Sequence, residues 1–406
     1  MDLLSWLAWA AAGTAVGLAA GLVPGLHVNV LLPSLLAAAL DAPALAAFLP
    51  ALATAHAFTS ILPATYVGVP DPDGAVLPLP AHNLLHDGRG PLAVRIAAHA
   101  TLAAIVAAIV LIWPAKWVLD EPGRLSDAAT ASLPWVLGAL CAWMLWVGRR
   151  KPAANGLTFL LAGLLGVVAL QFQPAGLLGP VTPLGPALAG LFGGAGLLDA
   201  IFGASPIPEQ KDGPLPSPLR RAAGRSALFG SAVAALLVPV SAATPAVAAT
   251  LVPTRSPERA IAALAAVGAA HQTLAMALLW VTQRPRTGLA AALLGAAQAQ
   301  PWPWGTPPPL LLGALLAILV SALLAHPATL LLGRTVPRAL ARFPPRAAPA
   351  AALAVLVVLQ AATAGWQGLL LFAAATAVGL VPLATGARRL QLVAALVVPS
   401  FLRSLG

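Results

Sequence analysis

An apolar run begins near Leu3 and continues to about Leu40, which is too long for one membrane span. It is interrupted in the middle by Gly21-Leu-Val-Pro-Gly-Leu-His27-Val-Asn29. Pro24 removes a helix donor and clashes with the preceding turn. Gly25 brings no side chain and tolerates unusual dihedrals. Non-helical backbone survives inside a bilayer only where protein buries it or where it lines a cavity. A broken membrane helix with polar side chains at the break, here His27 and Asn29, points to a transporter site. The competing reading is a plain kink whose His27 bonds a neighbouring carbonyl.

The rest of the chain fits a membrane setting. Of its 406 residues 60% are hydrophobic and only 8% are charged, with a mean hydropathy of +0.90. Soluble domains carry far more charge, and apolar stretches of span length recur from end to end. The expected class is all-α: a polytopic helical membrane protein with about 10–12 transmembrane segments. The short alternating segments of a β-barrel are missing. Met1-Asp2-Leu3-Leu4 lacks a basic leader region, so the start reads as a first membrane helix and not as a cleaved signal. Cys141 is the single cysteine, which excludes an intramolecular disulfide and a thiolate metal site. The net charge of +10 is spread over loops, which suits membrane topology and lipid headgroups and not nucleic acid.

A second apolar segment, about Pro43 to Gly68, holds His56, Thr59 and Ser60. A polar loop from Val69 to Pro91 follows. The next helices are expected near 92–113, 130–148, 155–172 and 186–203, and Lys116 falls in a charged loop between the first two. Residues 204–226 form the longest polar mid-chain connection, and its basic character places it in the cytoplasm. It divides the chain into an N-terminal half, 1–203, and a C-terminal half, 227–406. Helices are expected in the second half near 258–282, 286–298, 308–325, 348–364, 366–384 and 388–403.

The halves can be superposed. Val23-Pro24 matches Val238-Pro239, and Ala55-His56 matches Ala270-His271 at the same spacing. Gly13 and the Ala-Val that follows it match Gly230 and its Ala-Val. Repeats with unwound segments in corresponding positions place a substrate site between the halves. Whether the repeat is inverted or parallel is open at this level.

No helix carries paired carboxylates, and Lys and Arg are read as confined to loops and helix ends. The polar groups expected at membrane depth are His27, Asn29, His56, Thr59, Ser60, Thr65, Ser241, Thr244, His271, Gln272 and Thr273. Such a set suits a small anion held by helix N-termini, hydroxyls and amides, with Na⁺ or H⁺ as the coupling ion. The candidate site is Pro24, Gly25, His27, Asn29, His56, Thr59, Ser60, Ser241, Thr244, His271 and Gln272, with no catalytic residue, metal or cofactor. The rival reading is a membrane-embedded, metal-dependent enzyme acting on a lipid-linked substrate through the 71–87 loop. Its ligands would be Asp71, Asp73, His82, His86 and Asp87. Solvated turns at Asp-Pro and Asp-Gly steps account for the same residues. Asp199 reads as a helix-end carboxylate. Trp6, Trp9, Trp113, Trp117, Trp302 and Trp304 read as interfacial anchors.

Several segments resemble the large permease subunit family of tripartite tricarboxylate transporters, in particular its shorter, mainly archaeal branch. They are Pro24-Gly-Leu-His27-Val-Asn29; His56 to Gly68 with Pro70-Asp71 and Leu79-Pro80-Ala81-His82; and Asp87-Gly-Arg-Gly90. Gly190-Leu-Phe-Gly193 through Pro206-Ile-Pro-Glu-Gln210 and Arg388-Arg389 through Pro399 complete the likeness. The second-half Pro-Gly of the family is here Pro239-Val240. The resemblance implies an ion-coupled secondary transporter of di- or tricarboxylates, multi-pass in the plasma membrane. It also implies a small membrane subunit and a soluble substrate-binding protein as partners. The chain could work alone or as a homo-oligomer.

Overall fold

The computed structural model describes all residues except 25, 27, 39, 70–77, 121–123, 178, 182, 204–206, 238–255, 286, 304 and 406. The first half contains α1 (Leu3–Gly21), α2 (Val28–Ala37), α3 (Ala42–Thr59), α4 (Ile61–Tyr66), α5 (Pro78–His86), α6 (Gly90–Asp120), α7 (Arg124–Val147) and α8 (Pro152–Ala169). A two-residue hairpin, β1 (Ala175–Gly176) and β2 (Gly179–Pro180), precedes α9 (Leu184–Leu188). A π turn over Ala189–Gly194 joins α9 to α10 (Ala195–Phe202). The second half contains α11 (Ser217–Leu237), α12 (Pro257–Ala277), α13 (Leu279–Thr282), α14 (Gly288–Gly295), α15 (Pro309–Leu340), α16 (Ala347–Thr385) and α17 (Ala394–Ser404). Local chemistry sets several boundaries. The Asp2 and Asp41 carboxylates accept from Ser5 N and Ala44 N, each at 2.8 Å, and so cap α1 and α3. Ser256 and Thr287 cap α12 and α14 in the same way.

The helices form two bundles, and both halves of the chain contribute to each. The first bundle packs α1 on α3, α3 on α15, α15 on α6, and α6 on α11 and α12. The second packs α16 on α9, the π turn and α10, and packs α17 on α7 and α8. The pairings repeat: α1 lies on α3 as α11 lies on α12, and α3 meets α15 as α12 meets α6.

The contact registers fix the relative directions of these helices. Ser321 donates to Ala51 O at 2.7 Å, His326 meets the Phe58 ring, and the Tyr66 hydroxyl donates to Gly333 O. Helices α3–α4 and α15 therefore run the same way. On α6 the order reverses, because Gly333 faces Val94 while His326 faces His99. Helix α12 runs with α6: Arg89 pairs with Glu258 at one end, and Trp302 links Lys116 to Trp280 at the other. It follows that α3 and α12, the two Ala-His helices, are antiparallel. Read as a repeat, the two halves are inverted.

Eight helices among the described residues are long and apolar enough to cross a membrane. One of them, α16, has 39 residues, or about 58 Å at 1.5 Å per residue, roughly twice a hydrocarbon core. Its one non-helical residue, Gly365 (φ 63°, ψ −160°), lies near the middle. A Cβ on Gly368 would fall 2.1 Å from that of Ala364. On a straight helix residues four apart have Cβ atoms about 5–6 Å apart, so the chain doubles back here. Helix α16 is thus two arms, matching the separate helices expected at 348–364 and 366–384. Ala131–Val147 adds a shorter apolar helix.

Three local expectations change. The mid-chain connection is already helical from Ser217, so Arg220, Arg221 and Arg225 lie in the first turns of α11. The 69–91 loop contains α5, whose Ala81, Leu84 and Leu85 are buried on one face. Cations do occur inside helices. Lys116 lies within α6, 1% exposed, and Arg95 is 6% exposed in its second turn. The Lys116 ammonium donates to Trp302 O at 3.0 Å and sits 4.9 Å over that ring, which puts Trp302 in the core and not at an interface.

Candidate functional site

The break between α1 and α2 is real. Helix α1 stops at Gly21, Leu26 N turns back to Val23 O at 3.1 Å, and α2 starts at Val28. Pro24 and Leu26 are buried at the turn. His56 stabilises it from α3: its Nε2 donates to Leu26 O at 2.9 Å, satisfying a carbonyl that the broken helix leaves free. His56 lies 14 residues after Ala42 and 10 before Tyr66, near mid-depth of that span. Asn29 is half-buried in the first turn of α2, and a Cβ on Gly288 would lie 2.6 Å from its Oδ1. The N-termini of α2 and α14 therefore converge at Asn29.

The break also lies between the bundles. Leu26 and Ala20 share one apolar cluster with Val69 of the first bundle and with Ala189, Leu197, Leu356 and Phe372 of the second. Below this layer a cavity of about 260 Å³ opens at the basic end of the molecule. Val67 belongs to the apolar layer and also lines the cavity, as do His82, His86, Ala200, Phe343 and Ala348. One apolar layer thus separates the cavity from the break.

Two histidines line the cavity, and the charges of the seam lie beside it. His82 Nδ1 donates to Thr65 O at 2.9 Å, and its ring stands edge-on to His86 at 4.6 Å. Burial holds His82 below its usual pKa, and neighbouring His86 and Arg389 push the same way, while the Thr65 bond and Asp199 oppose them. Arg389 donates to Asp199 at 3.1 Å and to Gly68 O at 3.4 Å, one partner in each bundle. Burial draws its guanidinium below its usual value and Asp199 opposes that. At the same end Asp212 bridges Arg95 and Arg334, and Gln210 clamps the α5–α6 turn through Gly90 N and Leu85 O.

The other expected residues are placed unevenly. Thr59 turns its hydroxyl to Leu18 O and Ala55 O, at 3.2 and 3.1 Å, in the α1–α3 seam, and Ser60 reaches Ala57 O at 3.5 Å. His271 is buried on α12 and Gln272 is half-buried beside it. Gly25, His27, Ser241 and Thr244 lie outside the described residues, as do Asp71 and Asp73. Among the described residues no three metal-ligating side chains stand together, and Asp87 is exposed.

The sequence reading gave Gln210 only as part of a family-like stretch, and it did not single out the facing pair His99 and His326, whose rings lie 4.8 Å apart between α6 and α15. It also gave no weight to Gln360, which is fully buried. An uncharged polar residue within an apolar helix was the available signal in each membrane case.

No curated protein and no solved structure matches the chain. A family model matches residues 7–394, nearly the whole length. The break lies near mid-span where two bundles meet, as a transporter site does, and by this match the chain belongs to the tripartite tricarboxylate transporter TctA family.

Proposed function

We propose that the protein is an ion-coupled secondary transporter of small di- or tricarboxylates. Its family is a transporter family and not an enzyme family. The observation that carries the reading is the α1–α2 break, held by His56 on Leu26 O and placed where the two bundles meet. A carboxylate there would meet the free N–H groups of α2 and α14, with Asn29 between them. Pro24, Gly25, His27, Asn29 and His56 supply this half of the site. Ser241, Thr244, His271 and Gln272 are its counterparts from the second half, and Thr59 and Ser60 support it from the α1–α3 seam.

Transport would proceed by movement of one bundle against the other, so that the apolar layer around Leu26, Leu197 and Leu356 parts toward the cavity at the basic end. The basic end faces the cytoplasm by the positive-inside rule, in the plasma membrane. The halves 1–203 and 227–406, around the 204–226 connection, act as the repeated units. Na⁺ or H⁺ is the coupling ion. A small membrane subunit and a soluble binding protein complete the system, as the family name suggests.

The test is thermal unfolding of the detergent-purified chain with citrate or succinate, with and without Na⁺, from pH 5 to 8. A ligand at 100 times its Kd adds about 2.7 kcal/mol of stability. Stabilisation by a carboxylate that requires Na⁺ or low pH is expected. Stabilisation by divalent metals alone, with no response to either anion, would overturn the reading.

A further inference from the structure

Gln360 is 0% exposed, and neither its Nε2 nor its Oε1 has a hydrogen-bond partner. Buried side-chain amides are nearly always paired, and an unpaired one marks a ligand, an ion or a held water. The nearest polar side chain on its helix face gives no relief, because Thr363 turns its hydroxyl back onto Leu359 O at 2.8 Å.

Its position says which of these to expect. The buried face of the first α16 arm runs Leu356, Gln360, Thr363, Ala364. Leu356 belongs to the apolar layer that covers Leu26, and Leu359 packs against the same layer. Gln360 is one turn beyond Leu356 on that face, about 5–6 Å away by helix geometry. Helix α2 packs against α16 as well. Gln360 therefore lies one turn from the layer that covers the break, on the arm of the second bundle that packs against α2.

We infer that Gln360 is a substrate-binding residue that selects hydroxycarboxylates. This rests on the carboxylate reading above. Nε2 is a donor and suits a carboxylate oxygen, whereas Oε1 is an acceptor and needs a donor from the ligand. A plain carboxylate offers acceptors only. A hydroxycarboxylate offers both, and one molecule satisfies both ends of the amide. The contact would also tie the second bundle to the break, so that substrate bridges the two bundles.

The test compares citrate with tricarballylate, which has the same three carboxylates and no hydroxyl. Unfolding midpoints and apparent affinities are measured on the wild type, Gln360→Leu and Gln360→Glu. Wild type should prefer citrate by about tenfold, the effect of one buried hydrogen bond. Gln360→Leu should bind citrate about tenfold more weakly, lose that preference and be no less stable without ligand, because it removes an unpaired polar group. Gln360→Glu should weaken both anions by placing an acceptor, or a charge, where a donor stood. If wild type binds but Gln360→Leu binds citrate equally well, or loses stability without ligand, Gln360 is not a ligand and the carboxylate reading stands. If wild type responds to neither anion, both readings fall.

Discussion

Replacing Gly17 with alanine probes the packing that holds the break in place. A Cβ at Gly17 would lie 2.2 Å from Leu52 O and 2.9 Å from the Ala55 Cβ. Ordinary contact starts at 3.4 Å, so α1 and α3 would have to separate by about 1.2 Å there. Close helix packing in a bilayer depends on small residues at such crossings. Overpacking of this kind costs about 1–3 kcal/mol. Alanine also returns about 0.5–1 kcal/mol of helix propensity. Gly156 on α8 has nothing within 4 Å of its Cβ and gains the propensity alone. The difference between Gly17→Ala and Gly156→Ala therefore isolates the overpacking, at about 1–3 kcal/mol. The assay is thermal unfolding of both purified variants in one detergent, where 1 kcal/mol moves the midpoint by about 2–4 °C in larger domains. Displacing α1 should also loosen the Thr59 bond to Leu18 O and the His56 bond to Leu26 O, so Gly17→Ala should lower ligand-induced stabilisation. Equal midpoints for the two variants would refute the packing argument.

Other outcomes follow from the same geometry. Gly365→Ala should destabilise by about 2 kcal/mol or more, since φ of 63° strains an L-residue and its Cβ would lie 2.5 Å from Ala175 O; an unchanged midpoint would mean that α16 does not turn there. Unfolded His82 takes up a proton near pH 6.5, whereas burial keeps the folded residue neutral to lower pH. Its contribution is thus complete above that pH and declines as pH falls toward the folded value, so His82→Gln should flatten the midpoint's fall between pH 8 and 5, and identical slopes would refute this. Arg389→Met should loosen the seam and raise maleimide labelling of a cysteine at Ala348 in a Cys141→Ala background; unchanged labelling would show that the tie to Gly68 O and Asp199 does not hold the bundles together.

The helices were largely legible because span-length apolar runs announce themselves. The expected 258–282 is observed as Pro257–Thr282, and 155–172 as Pro152–Ala169. The first break was legible too, because Pro24 within an apolar run has few alternatives. What escaped has physical reasons. Helix α5 hides behind Pro78, Pro80 and two histidines, which read as a loop until the buried side of Leu84 and Leu85 is seen. Lys116 reads as a loop residue because a buried ammonium needs a partner, and Trp302 is 186 residues away. The π turn at Ala189–Gly194 leaves no pattern, since small residues fit any helix. The relative direction of α3 and α12 depends on which residues touch, as with Val94 on Gly333, and no single-chain pattern encodes that.

The antiparallel arrangement of α3 and α12 bears on how the two ends of a transport cycle are related. If the halves are repeats, each sees the membrane from the side opposite to its twin. If the two halves exchange their conformations, the same bundle contacts are rebuilt with the opening on the other face. No second architecture is then required for the outward-open form, and its packing energy should be close to that of the form described above. Any resting preference must arise where the twins differ. The prominent differences are Pro24-Gly25 against Pro239-Val240, and the His82–His86 wall at the basic end, which the α14 segment does not reproduce in sequence. Substituting at these unequal positions, and not at the shared ones, is the direct way to bias which face is open.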